Sequence, residues 1–244
     1  MTVRPDLDLK YTGNLPETLV IHSQKKPKQP RSILENVFAF APNRDTLGGT
    51  SYLILSNSGN ILVDCPPTDA IALQFLQDVG GARWLFLTHR GGISKQISQI
   101  QTDLGCEVIV QEQEAYLIPE VNKTPFSDSF TLNNNSYGFW SPGHSPGSSC
   151  LYWGELGGVL FTGRHLLPES PEAIAPLRVA KTFHWSKQLQ SVAALLSRFD
   201  CENLEYICPG ANTGFLRGKG FIDRAYSRLS QLDLAALETK TILF

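Results

Sequence analysis

The chain has 244 residues, of which 42% are hydrophobic and 18% charged, and its formal net charge is −2 at pH 7. This composition is that of an ordinary globular protein with one large α/β domain or two small ones. The small net charge gives no electrostatic basis for binding nucleic acid or a membrane surface. We expect no spanning helix, because no apolar run reaches the roughly 18 residues that a span needs. We expect no signal peptide, because the first residues contain no apolar core. The five cysteines are scattered and odd in number, which favours a reducing, cytoplasmic location.

The first 30 residues differ in character from the rest. Residues 1–30 are polar and contain several prolines, and they end in the basic run Lys25–Pro30. Pro27 and Pro30 exclude a regular helix there. We interpret residues 1–30 as a polar N-terminal arm and residues 31–244 as one domain.

Strands and helices alternate in the first half of this domain. Strands are predicted at 36–40, 50–55 and 61–64, the last two forming a hairpin around the turn signal at 57–60. A helix capped by Thr68 or Asp69 follows and ends at a glycine pair. The predicted elements then continue as a strand at 83–88, a helix after the turn at Gly91, a strand at 107–110 and a helix at 111–117.

The second half begins again with strands, which are predicted at 128–132, 137–140, 150–153 and 158–162. A helix capped by Ser186 runs to about Phe199, a buried strand follows at 204–208, and a closing helix is predicted at 221–237. Two halves of this kind predict two sheets packed face to face with helices on both outer faces, an α/β (α+β) fold in four αββα layers.

Five loops that follow predicted strands resemble the motif loops of the metallo-β-lactamase fold superfamily. The hairpin ending at Asp64 is similar to the opening strands of that family. Thr88–His89 is similar to the start of its T-H-x-H-x-D-H motif, and Ser141–Ser148 is similar to its P-G-H-T-x-G-S loop. Phe161–Gly163 is similar to its F-T-G-D turn, and Cys208–Gly210 is similar to its P-G-H-G loop. The resemblance implies an αββα sandwich that binds one or two metal ions, usually zinc, and that hydrolyses esters, amides, thioesters or phosphodiesters. Some relatives are di-iron oxidoreductases.

The chain departs from this pattern at most metal-ligand positions, so the resemblance identifies a degenerate member. Gly91 stands at the second histidine of the T-H-x-H-x-D-H motif, and its aspartate and last histidine are also replaced, by Ile93 and Ser94. Arg164 replaces the aspartate of F-T-G-D, and Ala211 replaces the histidine of P-G-H-G. Only Asp64, His89 and His144 match.

These losses argue against metal catalysis, because a catalytic zinc needs three protein ligands and an open position. The guanidinium of Arg164 stays protonated and only donates hydrogen bonds. At ~4 Å from a dication it would meet about 8 kcal/mol of repulsion at an effective dielectric of about 20. We therefore expect no cofactor; if zinc or iron binds at all, His89 and His144 would hold it. We predict that Arg164 fills the vacated cavity and either pairs with Asp64 or holds an anionic ligand.

Each remnant residue also has a structural interpretation. His144 could hold its own loop by hydrogen bonds, His89 could cap the helix after the glycine turn, and Asp64 could satisfy backbone donors at a strand end. His165 lies one position past the family aspartate, which favours an outward or supporting role, and His184 has no motif.

Two cysteines keep a second chemistry open. Cys65 follows Asp64, and Cys208 ends the last strand, so both could lie near His89 and His144 and form a reactive thiol or a Cys/His metal site. Cysteines in buried strands are usually inert packing residues.

Three functions follow from these features. The first is a pseudoenzyme that binds a small anionic ligand or a protein partner through the old cleft. The second is a hydrolase with a reduced mononuclear metal or thiol site that acts on a small ester, thioester or related substrate. The third is a structural subunit that uses residues 1–30 as an arm. The sequence leaves open whether the protein is an enzyme.

Overall fold

A computed structural model describes residues 28–242. Residues 1–27 of the predicted arm lie outside the described residues, and so does the basic run up to Pro27. None of the helices in the described part of the chain is long and apolar enough to cross a membrane.

Two large sheets form the centre of the fold. The first has seven strands in chain order, β1 Arg31–Leu34, β2 Val37–Ala39, β3 Tyr52–Ile54, β4 Ile61–Val63, β5 Trp84–Phe86, β6 Glu107–Gln111 and β7 Lys123–Phe126. Strands β8 Ser129–Asn133, β9 Ser136–Trp140, β10 Ser149–Trp153 and β11 Val159–Gly163 belong to the second sheet. A small separate pair follows, β12 Leu167–Pro168 and β13 Ile174–Ala175. Strand β14 Tyr206–Pro209 then completes the second sheet beside β11, in the order β14-β11-β10-β9-β8.

Helices cover both outer faces of the two sheets. They are α1 Ala70–Asp78, α2 Ile97–Leu104, α3 Trp185–Arg198, α4 Ala225–Leu229 and α5 Leu234–Glu238. Asp69 caps α1, since its carboxylate accepts from the backbone N–H groups of Ile71 and Ala72, both at 3.1 Å. Three short 3-10 helices lie at Arg44–Thr46, Arg90–Gly92 and Glu112–Leu117.

The buried side chains form three layers of core. One layer lies between the sheets and includes Tyr52 and Phe86 from the first sheet and Phe161 from the second. A second layer packs the outer face of the first sheet against α1 and α2, and a third packs the outer face of the second sheet against α3 and α4. This arrangement confirms the predicted four-layer αββα sandwich.

Three local predictions differ from the structure. The predicted closing helix at 221–237 is two short helices, because Ile222 pairs with Ile207 beside β14 and Arg224 adopts a left-handed φ of 47°. Helix α3 is capped by His184 rather than Ser186, with the ring Nδ1 accepting from the backbone N–H of Lys187 at 3.3 Å. The predicted helix at 111–117 is a 3-10 helix.

Candidate functional site

The strand ends meet at one edge of the sandwich. Asp64 follows β4, and His89 lies just beyond β5; His144 lies in the loop between β9 and β10, and Arg164 follows β11. Backbone hydrogen bonds join the two sheets here, including Ser149 N–H to the Thr88 carbonyl at 2.7 Å. The four predicted remnant residues therefore belong to one region.

Asp64 and His89 are linked through Thr88. The Asp64 carboxylate accepts from the backbone N–H of Thr88 at 2.8 Å and from its hydroxyl at 2.6 Å. The same hydroxyl lies 2.9 Å from His89 Nδ1. Because the hydroxyl has one proton and gives it to the carboxylate, it must accept from His89 Nδ1–H. The unprotonated nitrogen of His89 is therefore Nε2.

Burial controls the protonation of both groups. It raises the pKa of Asp64 to about 6, against the opposing hydrogen bonds from Thr88. Burial also lowers the pKa of His89 well below its usual range, and the charges of Arg164 and Arg90 act in the same direction. At pH 7 Asp64 is consequently a carboxylate and His89 a neutral imidazole.

The two glycines of this turn, of which Gly91 stands at a family ligand position, lie where the turn packs most tightly. A Cβ on Gly91, at the position of the second family histidine, would lie 2.9 Å from His89 Nε2. A Cβ on Gly92 would lie 2.2 Å from Asp64 Oδ1. The ring of His89 and the carboxylate of Asp64 thus occupy the space that larger residues in this turn would need.

His144 faces His89 across the edge of the sandwich. Their ring centroids are 5.4 Å apart, in an edge-to-face arrangement. Its loop is held by the buried carboxylate of Glu114, which accepts from the backbone N–H of Gly147 at 3.2 Å and pairs with Arg90 Nε at 3.2 Å. Burial lowers the pKa of His144 to about 4, so this ring is also neutral at pH 7.

Arg164 contacts backbone carbonyls and not Asp64, which was one of the two partners predicted for it. Its Nη2 donates to the backbone carbonyls of Leu47 at 2.8 Å and Thr46 at 3.3 Å. Among the described residues Arg164 forms no ion pair with Asp64. The Asp64 carboxylate accepts its hydrogen bonds from Thr88 instead. After burial, the charge of the guanidinium is a further cause that lowers the pKa values of both His89 and His144.

His165 is the site residue that the sequence interpretation underrated. Its side chain is fully buried rather than outward, and neither ring nitrogen has a hydrogen-bond partner in the described part of the chain. Burial lowers the pKa of His165 to about 3, and His144 adds to the effect. The sequence signal for its burial was the apolar run of β11 just before it, together with the buried Leu166 just after it.

The two candidate thiols do not reach the cleft. Cys65 packs on the outer face of the first sheet, and Cys208 packs between the sheets. Burial raises the pKa of Cys65 to about 12 and the pKa of Cys208 further still. Both are therefore thiols at pH 7, which weighs against the expectation of a reactive group at either position.

An open cleft of about 940 Å³ lies beside these residues. His144 and Arg164 line it at the site itself. Most of its other lining residues come from the segment leading into α2, from the end of the third 3-10 helix with the turn after it, and from residues 179–181, and many of them are aliphatic.

The residues present do not fit the metal centre that the family resemblance implies. Among residues 28–242, no group of three or more His, Cys, Asp or Glu side chains could hold a metal ion. His89 and His144 would supply two ligands where zinc catalysis needs three. His89 Nε2, the nitrogen with the free lone pair, is buried 2.9 Å from where a Cβ on Gly91 would lie, and the nearby Arg164 is a permanent cation.

Comparison with known proteins identifies the architecture. The chain matches VMB-1 with a TM-score of 0.65 at 14% identity, covering 87% of this chain and 99% of that one. It matches DIM-1 metallo-β-lactamase with a TM-score of 0.65 at 17% identity, covering 88% and 99%. The chain has the metallo-β-lactamase fold.

A third match with the metallo-β-lactamase fold is the metallo-β-lactamase family protein TTHA1429 from Thermus thermophilus. Its TM-score is 0.60 at 18% identity, with 85% of this chain and 81% of that chain covered. No protein-family model matches the sequence, and no curated protein matches it either. At such low identities the structural matches show the fold alone.

Proposed function

We propose that this protein is a non-hydrolytic member of the metallo-β-lactamase fold that binds a small anionic ligand in the cleft beside Arg164. The observation that carries the proposal is the position of the guanidinium. It stands where the F-T-G-D motif has an aspartate, and the carbonyls of Thr46 and Leu47 fix it in place. A fixed cation at a metal-binding edge repels dications and attracts anions.

The shape of the cleft supports a small ligand over a protein partner. Its volume of about 940 Å³ lies within the range of small-molecule sites. Concave surfaces lined by apolar groups with a few placed polar groups are typical of such sites. A cytoplasmic location stays a prediction from the cysteine usage.

The alternative is a hydrolase with a reduced mononuclear site. The observation that favours it is the approach of His89 and His144, whose ring centroids lie 5.4 Å apart. Two imidazoles still leave zinc one ligand short of a catalytic site. Neither Cys65 nor Cys208 lines the cleft, which favours the metal version of this alternative over the thiol version.

A turnover assay separates the two functions. The full-length protein would be equilibrated with zinc, iron or manganese and assayed on simple esters, thioesters and a β-lactam. The binding role predicts rates equal to those of the double variant His89→Ala/His144→Ala. Metal-dependent turnover that disappears in the double variant would establish the hydrolase instead.

A further inference from the structure

The cleft has a long aliphatic wall. Ile93 and Ile97 contribute from the start of α2 and the segment before it. Leu117 contributes from the end of the third 3-10 helix, Val121 from the turn after it, and Val179 from the loop before α3. Leu117 is 39% exposed, which leaves apolar surface facing solvent at this wall. Covering such surface is worth about 25 cal/mol per Å², so the wall favours an apolar ligand body.

Positive charge lines the same cleft. Its charged residues are Arg90, Lys95, Arg164 and Lys181, opposed by Glu120 alone. Arg90 is neutralised by Glu114. In the described part of the chain, the other three cations have no carboxylate partner within ion-pair distance. His144 adds no charge at pH 7 because burial lowers its pKa to about 4.

Arg164 has unused donors in a fixed position. Only its Nη2 is engaged, with the two backbone carbonyls. Its Nε is buried and has no hydrogen-bond partner among the described residues. Hydrogen bonds to a charged group are stronger than those between neutral groups, so a ligand acceptor at the remaining guanidinium donors would add affinity. The planar guanidinium matches the geometry of a carboxylate.

We propose that the ligand is an aliphatic carboxylate, with its carboxylate on Arg164 and its chain along the wall formed by Ile93, Ile97, Leu117, Val121 and Val179. This inference rests on the proposed binding function and names the class of ligand. Lys95 and Lys181, which are exposed, add long-range attraction for the anion.

Calorimetric titration of the full-length protein tests the proposal, with dodecanoate as the probe at pH 8 and below its micelle concentration. Dodecanol has the same chain without charge, and acetate has the charge without the chain. We expect dodecanoate to bind at least 10-fold more tightly than dodecanol, since a charged hydrogen-bonded contact is worth about 1.5–3 kcal/mol. Acetate should bind more weakly than both, because it lacks the chain that covers the wall.

Matched variants locate the contacts. Arg164→Gln should weaken dodecanoate binding at least 10-fold, and Arg217→Gln, at an exposed arginine outside the cleft, by less than 2-fold. Leu117→Ser should weaken it about 3-fold or more, whereas Tyr116→Ser should not, since the exposed Tyr116 does not line the cleft. Arg164→Lys keeps the charge and should bind with intermediate affinity. Circular dichroism and a melting curve check that each variant is folded.

Several results would overturn the inference. Equal affinity for dodecanol and dodecanoate would show that the site does not recognise the carboxylate. Unchanged affinity in folded Arg164→Gln would show that Arg164 is not its partner. Saturable binding of inorganic phosphate without binding of dodecanoate would overturn the ligand class while leaving the binding role in place. Metal-dependent turnover in the assay above would instead overturn the binding role itself.

Discussion

The substitution Gly92→Ala should destabilise the protein by about 2–4 kcal/mol. A Cβ at this position would lie 2.2 Å from Asp64 Oδ1 and 2.4 Å from its Cγ. The Asp64 carboxylate cannot move away from this Cβ without cost, because it accepts two hydrogen bonds from Thr88. The backbone of Asp64 is also held in a left-handed conformation, with a φ of 60°. Hydrogen bonds to a charged group contribute about 1.5–3 kcal/mol each. Displacing the carboxylate would weaken both of them, while the reduced entropy of the unfolded chain returns about 0.4–1 kcal/mol.

Gly154→Ala is the matched control, because its added Cβ would meet no atom closer than 3.4 Å. It gains the same entropy term without the clash, so we expect it to stay within about 0.5 kcal/mol of the wild type or to be slightly more stable. Urea unfolding followed by tryptophan fluorescence gives both free energies of unfolding. Asp64→Gly removes the clashing side chain, so the cost of Gly92→Ala should fall below about 1 kcal/mol in that background. Equal stabilities of Gly92→Ala and Gly154→Ala would refute the packing of Asp64 against this turn.

Three further predictions concern protonation, the His144 loop and the thiols. Between pH 6 and 4 the unfolded chain protonates its histidines, while buried His144 and His165 stay neutral with pKa values of about 4 and 3. The unfolded state then binds more protons, so the free energy of unfolding should fall by roughly 1–3 kcal/mol for each unit that the pH is lowered. This range already includes the opposing effect of Asp64, whose pKa is raised to about 6 in the folded state. A melting temperature that stays constant from pH 7 to 4.5 would contradict this. Glu114→Gln should cost about 1–3 kcal/mol because it weakens the ion pair and the backbone contact that hold the His144 loop. Exposed Glu112→Gln should cost under about 0.5 kcal/mol in the same urea experiment, and equal effects would refute the role of Glu114. An aromatic disulfide reagent should modify one thiol rapidly in the native protein, the exposed Cys201, and all five after denaturation; rapid modification of two or more would show that a buried cysteine is accessible.

The sequence predicts the sandwich because its strands carry strong local signals. The hairpin around 57–60, the buried strand before His89 and the loops after strand ends depend on short-range chemistry, and the structure has them where the pattern indicates. The closing segment shows the limit of that reasoning. Its helical periodicity was outweighed by the pairing of Ile222 with Ile207, a tertiary contact that no local pattern encodes.

The candidate site was predictable in membership and less so in geometry. Asp64, His89, His144 and Arg164 do lie at one edge, because each follows a strand that ends there. The partners of Arg164 are the backbone carbonyls of Thr46 and Leu47, more than a hundred residues away, and sequence spacing carries no information about such a contact. The inward orientation of His165 and the aliphatic wall of the cleft likewise arise from segments that meet only in the folded chain.

The metal content of the purified protein tests the central claim most directly. The full-length chain would be expressed in medium supplemented with zinc, iron and manganese, purified without chelator and analysed by inductively coupled plasma mass spectrometry. Because Arg164 opposes dications and only His89 and His144 match the family's metal-ligand positions, we predict less than about 0.1 equivalent of any of these metals per chain. About one equivalent per chain, lost in the double variant His89→Ala/His144→Ala, would contradict the claim that this edge of the fold no longer holds a metal.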